Sequence, residues 1–210
     1  MHYRGEVLIH KMTLGPFATN CYLVACPRTS HAALIDAPAE PEKILAEARG
    51  LELKYILMTH NHRDHIQALP QLIAALKVPV AAHPLDAPGL GVASDLALED
   101  GHRVSLGDVT LEVMYTPGHT PGSLCFRFRK HLFSGDTLFP GGPGKTRTPQ
   151  DLATILSSIQ SHLLPLPDNI FVYPGHGDDT TLGQERPAIA AFLGRPRPPD
   201  LCGDVLWASS

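Results

Sequence analysis

The sequence predicts a mixed α/β (α+β) fold in four layers: two β-sheets face to face, with helices outside each. Three observations lead there. Apolar runs of strand length, such as Tyr55-Ile56-Leu57-Met58 and Ile170-Phe171-Val172-Tyr173, alternate with segments whose apolar residues recur at helical spacing. The order strands, helix, strand-helix occurs twice, although no residue-level repeat accompanies it. Metal-ligand side chains gather in short loops directly after apolar runs, where α/β proteins place their chemistry.

The first half opens with the strands Val7-Leu8-Ile9, Cys21-Tyr22-Leu23-Val24 and Ala33-Leu34-Ile35-Asp36, punctuated by Gly15-Pro16 and Pro27. Residues 41–48 read as a helix with Gly50 as its stop. The strand at Tyr55 follows, and then a helix beginning near Asp64, carried by Ile66, Leu69, Leu72, Ile73 and Leu76. Val78-Pro79-Val80-Ala81-Ala82 is a short strand. Residues 85–101 read as a loop rich in small residues, of the length that covers a site. Val104, Val109-Thr110-Leu111-Glu112-Val113, Ser123-Leu124-Cys125-Phe126-Arg127-Phe128 and His131-Leu132-Phe133 read as strands of the second half. Thr148-Pro149-Gln150-Asp151 has the form of a capping box with proline at the first helical position. Leu152, Ile155, Leu156, Ile159 and Leu163 continue it as one apolar face. The strand at Ile170 and a helix over residues 184–193 close the pattern.

At 210 residues the chain is long enough for one well-buried domain, placed at residues 1–194 with a proline-rich tail at 195–210. That tail reads as an extended strap or a disordered end. The formal net charge of -4 with no basic stripe argues against a nucleic-acid partner. No apolar run reaches the ~20 residues of a membrane span. The first eleven residues lack the apolar core of a signal peptide, so a cytoplasmic protein acting on a small molecule is expected, its oligomeric state open. Cys21, Cys26, Cys125 and Cys202 form no Cys-x-x-Cys pair and read as free thiols.

The segment Thr59-His60-Asn61-His62-Arg63-Asp64-His65 carries three imidazoles and one carboxylate within six residues. Nitrogen plus carboxylate oxygen is the donor set of borderline divalent metals. His60 and His62, two apart in extended chain, point the same way. Asp64 and His65 open a helix and point elsewhere, so two adjacent metals share the cluster better than one. Three further ligand-type residues follow strands beside glycine: His119 in Thr116-Pro117-Gly118-His119-Thr120-Pro121-Gly122, Asp136 in Ser134-Gly135-Asp136-Thr137, and His176 in Tyr173-Pro174-Gly175-His176-Gly177. Singly each is an ordinary loop residue; jointly they form a constellation. His83 lies outside it and reads as a pocket-wall or structural histidine.

This pattern resembles the metallo-β-lactamase-fold hydrolase superfamily over nearly the whole chain, through His60-x-His62-x-Asp64-His65, then His119, Asp136 and His176 in order. The resemblance implies a four-layer αββα sandwich. It implies that His60, His62 and His119 hold a first metal, that Asp64, His65 and His176 hold a second, and that Asp136 bridges them. Asp64 and Asp136 are then the catalytic carboxylates, with room left for a bridging hydroxide. Ser-Gly-Asp-Thr-Leu-Phe around Asp136, Ala18-Thr19-Asn20-Cys21-Tyr22, and Pro174-Gly175-His176-Gly177 with Thr180-Thr181 are similar to the short glyoxalase II-like (hydroxyacylglutathione hydrolase-like) branch.

Two departures bear on substrate. Where relatives read Gly-Arg-Thr/Ser-Asp, this chain has Gly144-Lys145-Thr146-Arg147, and it carries no counterpart of the glutathione-binding helical domain of longer members. Lys145 and Arg147 are candidates for an anionic substrate, or plain surface charge. The resulting expectation is a thioester, ester or lactone hydrolase using two divalent metals, zinc first and iron or manganese also fitting the donors. A mononuclear iron persulfide dioxygenase and a non-catalytic metal-binding module are the alternatives. A serine triad finds little support, since there is no Gly-x-Ser-x-Gly elbow.

Overall fold

A computed structural model describes residues 1–209. Its first sheet takes β1 (Tyr3–Arg4), β2 (Leu8–Leu14), β3 (Thr19–Ala25), β4 (His31–Ile35), β5 (Glu52–Leu57), β6 (Val80–Ala82) and β7 (Leu96–Ala97) in sequence order. Helices α1 (Pro41–Glu47), α2 (Arg63–Ile66) and α3 (Leu69–Leu76) lie between its strands. The second sheet contains β8 (Arg103–Leu106), β9 (Val109–Tyr115), β10 (Leu124–Phe128) and β11 (His131–Gly135). A small hairpin of β12 (Leu138–Phe139) and β13 (Gly142–Pro143) follows, then helix α4 (Pro149–Ser158). Strands β14 (Phe171–Pro174) and β15 (Thr180–Thr181) complete the sheet in the order β15-β14-β11-β10-β9-β8, and α5 (Leu182–Leu193) ends the pattern.

Strand alternation explains the layering. Side chains of successive strand residues point to opposite faces. Tyr22, Val24, Ala33, Ile35 and Leu57 therefore meet Leu111, Val113, Phe126 and Phe133 in a core between the sheets. Their neighbours Cys21, Leu23, Leu34 and Ile56 face the other way, against Ile44 of α1 and Leu69 and Leu72 of α3. On the second sheet, Cys125, Leu132 and Val172 turn outward onto Leu152, Ile155, Ile189 and Phe192 of α4 and α5. Three cores separate four layers, and the αββα sandwich expected from the sequence is the architecture found.

Several boundaries differ from the sequence reading. The helix expected from Asp64 is two, because Pro70 lacks the amide and crowds the carbonyl four residues back. Residues 85–101 are not wholly irregular: Ala87–Leu90 forms a 3₁₀ turn and β7 adds to the sheet edge. After Ser158 the helix loosens into a π-turn over Ile159–Leu163, closed by the Leu164 amide on the Ile159 carbonyl at 2.9 Å. The last helix starts earlier than expected, at Leu182, where Thr181 and Gln184 form a capping box. Within the tail, Val205 and Trp207 are buried, Trp207 lies edge-on to Phe192, and Gly203 bridges Thr146. Among the described residues no helix is long and apolar enough to cross a membrane.

Candidate metal centre

The parallel pairs β4–β5 and β11–β14 set the ends of those strands at one rim of the sandwich. The segment after β5 carries His60, His62, Asp64 and His65; the β9–β10 turn carries His119; β11 leads to Asp136 and β14 to His176. Cross-sheet hydrogen bonds lock the rim. The Leu124 amide donates to the Thr59 carbonyl at 2.8 Å, and the Asn20 amide to the Gly175 carbonyl at 2.7 Å.

All seven residues converge. Donor atoms of His60, His62 and His119 lie within 4.8 Å of one another, as do those of Asp64, His65 and His176. Asp136 stands between the two groups, with Oδ2 3.4 Å from His119 Nε2 and Oδ1 3.4 Å from His65 Nε2. His176 Nε2 is 3.1 Å from Asp64 Oδ2. This closeness depends on two glycines. A Cβ on Gly175 would sit 2.2 Å from Asp136 Oδ1 and 2.7 Å from His65 Cε1. Gly118, at φ +133°, lets the His119 turn press on α4, where a Cβ would meet the Ile155 backbone nitrogen at 2.4 Å.

The outer ring nitrogens are fixed by neighbours, which sets the tautomers. His119 Nδ1 faces the Lys145 carbonyl at 2.8 Å, and His176 Nδ1 the Phe17 carbonyl at 3.2 Å. A carbonyl only accepts, so each Nδ1 donates and each Nε2 keeps its lone pair. Thr59 Oγ1 donates to Asp36 Oδ2 at 2.7 Å and so accepts from His60 Nδ1 at 3.0 Å. His60 Nε2 is left buried with no hydrogen-bond partner, and so is Asp136 Oδ1. The inner nitrogens face one another, His119 Nε2 to His62 Nδ1 at 2.8 Å and His65 Nε2 to His176 Nε2 at 3.2 Å. Lone pairs converging on lone pairs, with an orphaned buried donor set, fit divalent cations.

Electrostatics agree. Burial, then the neighbouring His65, push the His60 imidazole well below the usual histidine value, keeping it neutral. Burial pulls His65 the same way, yet the Asp136 and Asp36 carboxylates hold it well above that value. Burial would raise Asp136, but His65, then His60 and His119, hold its carboxyl far below the carboxylate range. Asp136 is thus held ionised, with His65 as the main group that balances its charge.

Sequence reasoning missed the supports. Asp36, at φ +61°, accepts from the Thr59 amide at 2.8 Å and faces His65 Nδ1 at 2.8 Å, steering two candidate ligands at once. It looked like the last residue of a strand; an acidic residue ending a buried apolar run was the available signal. Asp86 is likewise buried, taking the Thr120 hydroxyl at 2.6 Å and the Gly122 amide at 2.9 Å, which ties the covering loop to the His119 turn. The Thr19-Asn20-Cys21-Tyr22 stretch is a clamp. The Thr19 hydroxyl donates to Asp64 at 3.0 Å, Asn20 to the Pro174 and Gly177 carbonyls, and Tyr22 to the Pro174 carbonyl at 2.6 Å. His83 stacks on Tyr115 with centroids 4.3 Å apart and belongs to none of the ligand groups.

Comparison with known proteins places this geometry. The family model of the metallo-beta-lactamase superfamily matches residues 14–176. The chain is 36% identical over 193 residues to hydroxyacylglutathione hydrolase GloC of Haemophilus influenzae, covering 81% of this chain and 91% of that one. Among solved structures, the protein TTHA1623 in a di-iron-bound form is 39% identical, with a TM-score of 0.70 over 84% of this chain and 96% of that one. ETHE1 from Myxococcus xanthus is 26% identical, with a TM-score of 0.79 over 91% and 93%. From its fold, its ligand cluster and these likenesses, the chain belongs to the metallo-β-lactamase superfamily.

Proposed function

We propose that this chain is a binuclear metallo-hydrolase cleaving a thioester of the acylglutathione kind, or an ester or lactone. One observation carries the reading: two ligand triplets flank a single shared carboxylate, Asp136. His60, His62 and His119 would hold one cation, Asp64, His65 and His176 the other, with Asp136 between; zinc suits the donors, and iron or manganese also fit. Cations so held supply an acidified water and a polarised substrate carbonyl.

The chain's own residues do the rest. Asp136 stays ionised and would screen two cations, once bound, from each other. Asp64, whose side chain is 23% exposed against 10% for Asp136, is the carboxylate solvent reaches most readily. It takes the proton that an attacking water gives up. Asp36 and the Lys145 and Phe17 carbonyls hold the imidazoles in the tautomers that present lone pairs inward. No side chain needs to act as nucleophile: Cys125, beneath Thr116, has its thiol pushed by burial up to about 11.

The likeness to GloC supports the thioester reading. The likeness to ETHE1 favours a second one, a mononuclear iron dioxygenase acting on a persulfide. A panel separates them: lactoylglutathione, an aryl thioester, a lactone, a β-lactam and a persulfide, each with metal-loaded protein. Thioester and lactone kcat/KM within about tenfold, a barrier difference of ~1.4 kcal/mol, is the expected result. Oxygen uptake on the persulfide without hydrolysis of the others would replace the hydrolase reading.

A further inference from the structure

The candidate centre lies between two cavities, the larger of mixed lining and the smaller mainly apolar. One, of about 710 Å³, opens on the His62 side and is lined in part by Asn61, Tyr115, Thr154 and Arg147. The other, of about 280 Å³, opens on the His176 side between Phe139, Pro140, Val205 and Leu206. His119 lines both, so a molecule spanning them crosses the ligand cluster.

Charge distinguishes the two. Lys145, in the smaller cavity, is already paired with Asp204 at 3.0 Å. Arg147, in the larger, has no carboxylate within 4 Å among the described residues. The carboxylates that share its cavity are engaged elsewhere: Asp86 by Thr120 and Gly122, Asp151 by the Thr148 amide of the capping box. An unpaired guanidinium beside a roomy cavity of mixed polar and apolar lining is a receptor for a carboxylate, which its planar fork can grip with two hydrogen bonds. The smaller cavity is walled mainly by carbon. Leu206, held there by the packed tail, is 52% exposed, and covering it removes apolar surface from water.

We propose, resting on the hydrolase reading, that the substrate is a thioester or ester with one arm ending in a carboxylate, held by Arg147, and the other an aliphatic or aromatic chain, held against Phe139 and Leu206. The scissile carbonyl lies between them, beside His119. Water adds to the carbonyl carbon, the carbon–sulfur or carbon–oxygen bond breaks, and a carboxylic acid and a thiol or alcohol leave. The tail segment is on this account a specificity element as well as a packing one.

The test uses metal-loaded protein and three probes: S-octanoyl-mercaptopropionate, its methyl ester, and S-acetyl-mercaptopropionate. Binding of N-octanoyl-β-alanine, the uncleaved amide counterpart, is measured by calorimetry. Masking the carboxylate or shortening the chain should each lower kcat/KM at least about tenfold. Arg147→Ala should abolish the first discrimination and keep the second; Leu206→Ser should do the reverse. The amide should bind wild type at least about tenfold more tightly than either variant. Similar rates on all three probes, with amide binding indifferent to Arg147→Ala, would overturn the proposal and leave the hydrolase reading standing. Amide binding that needs Arg147 and Leu206, with no cleavage of any thioester, would remove the hydrolase reading and keep the two-armed site. Neither cleavage nor binding would overturn both.

Discussion

The two halves of the sandwich supply the ligand cluster in different ways. The first half delivers His60, His62, Asp64 and His65 from one turn after β5, with local geometry doing most of the placing. The second half delivers His119, Asp136 and His176 from three separate turns, which meet only because two sheets stack and two glycines allow close approach. A contiguous cluster survives modest strain elsewhere. A dispersed one is only as exact as the packing that gathers it. The second half should therefore be the fragile partner, and its supports should be tertiary: the Asn20 and Tyr22 clamp on the Pro174 carbonyl, and the Asp86 tie to the His119 turn.

Asp136→Ala should break the arrangement most severely, because that carboxylate stands beside a member of each triplet. We expect at least one cation site to empty and thioester hydrolysis to fall about a thousandfold, as a loss of ~4 kcal/mol in barrier lowering implies, with the circular dichroism spectrum preserved. Near-normal turnover would contradict its bridging position.

Asp36→Asn probes the contiguous half. Its carboxylate orients Thr59 and His65 without lying among the converging donor atoms. Metal affinity should fall about 10–100-fold, with recovery of activity at raised metal concentration. Loss that metal cannot rescue would assign Asp36 a direct part in the chemistry.

A milder effect separates the rim from the far end of β11. His131 begins that strand, fully buried, facing the Tyr173 hydroxyl at 2.9 Å. Burial, then the Lys130 charge, lower its pKa from the ordinary 6.5 to about 4. The folded state thus favours the neutral ring. Stability from this group is complete above the unfolded value and is lost as pH falls from about 6.5 to about 4. At about pH 5 the loss should reach ~2 kcal/mol, measured by denaturant unfolding of metal-free protein. His131→Phe should shrink the stability difference between about pH 7.5 and about pH 5 by about that amount without changing metal content. An unchanged pH dependence would show that other groups carry it.

The halves also differed in how legible they were. His60, His62, Asp64 and His65 announce themselves because four ligand types crowd one strand end. His119, Asp136 and His176 were readable only jointly, through repeated glycine-flanked turns and a family resemblance. Asp86 was invisible, and Asp36 was marked only by its place at the end of a buried apolar run, because a buried carboxylate's role is identified by what it bonds across the fold. The layers followed from periodicity, whereas the break at Pro70 and the π-turn after Ser158 are places where one side chain or a packed core overrode a continuous helical pattern. The two cavities were out of reach, since one wall comes from tail residues whose docking on Phe192 and Gly141 is purely tertiary.

The central claim is that seven side chains form two cation sites sharing Asp136, and metal content tests it most directly. Protein stripped with chelator, reloaded with zinc, iron or manganese and freed of excess metal should reach two ions per chain by elemental analysis, on the triplet geometry. A firm plateau at one ion per chain with every metal tried would contradict the binuclear account and leave one of the two triplets without its proposed role.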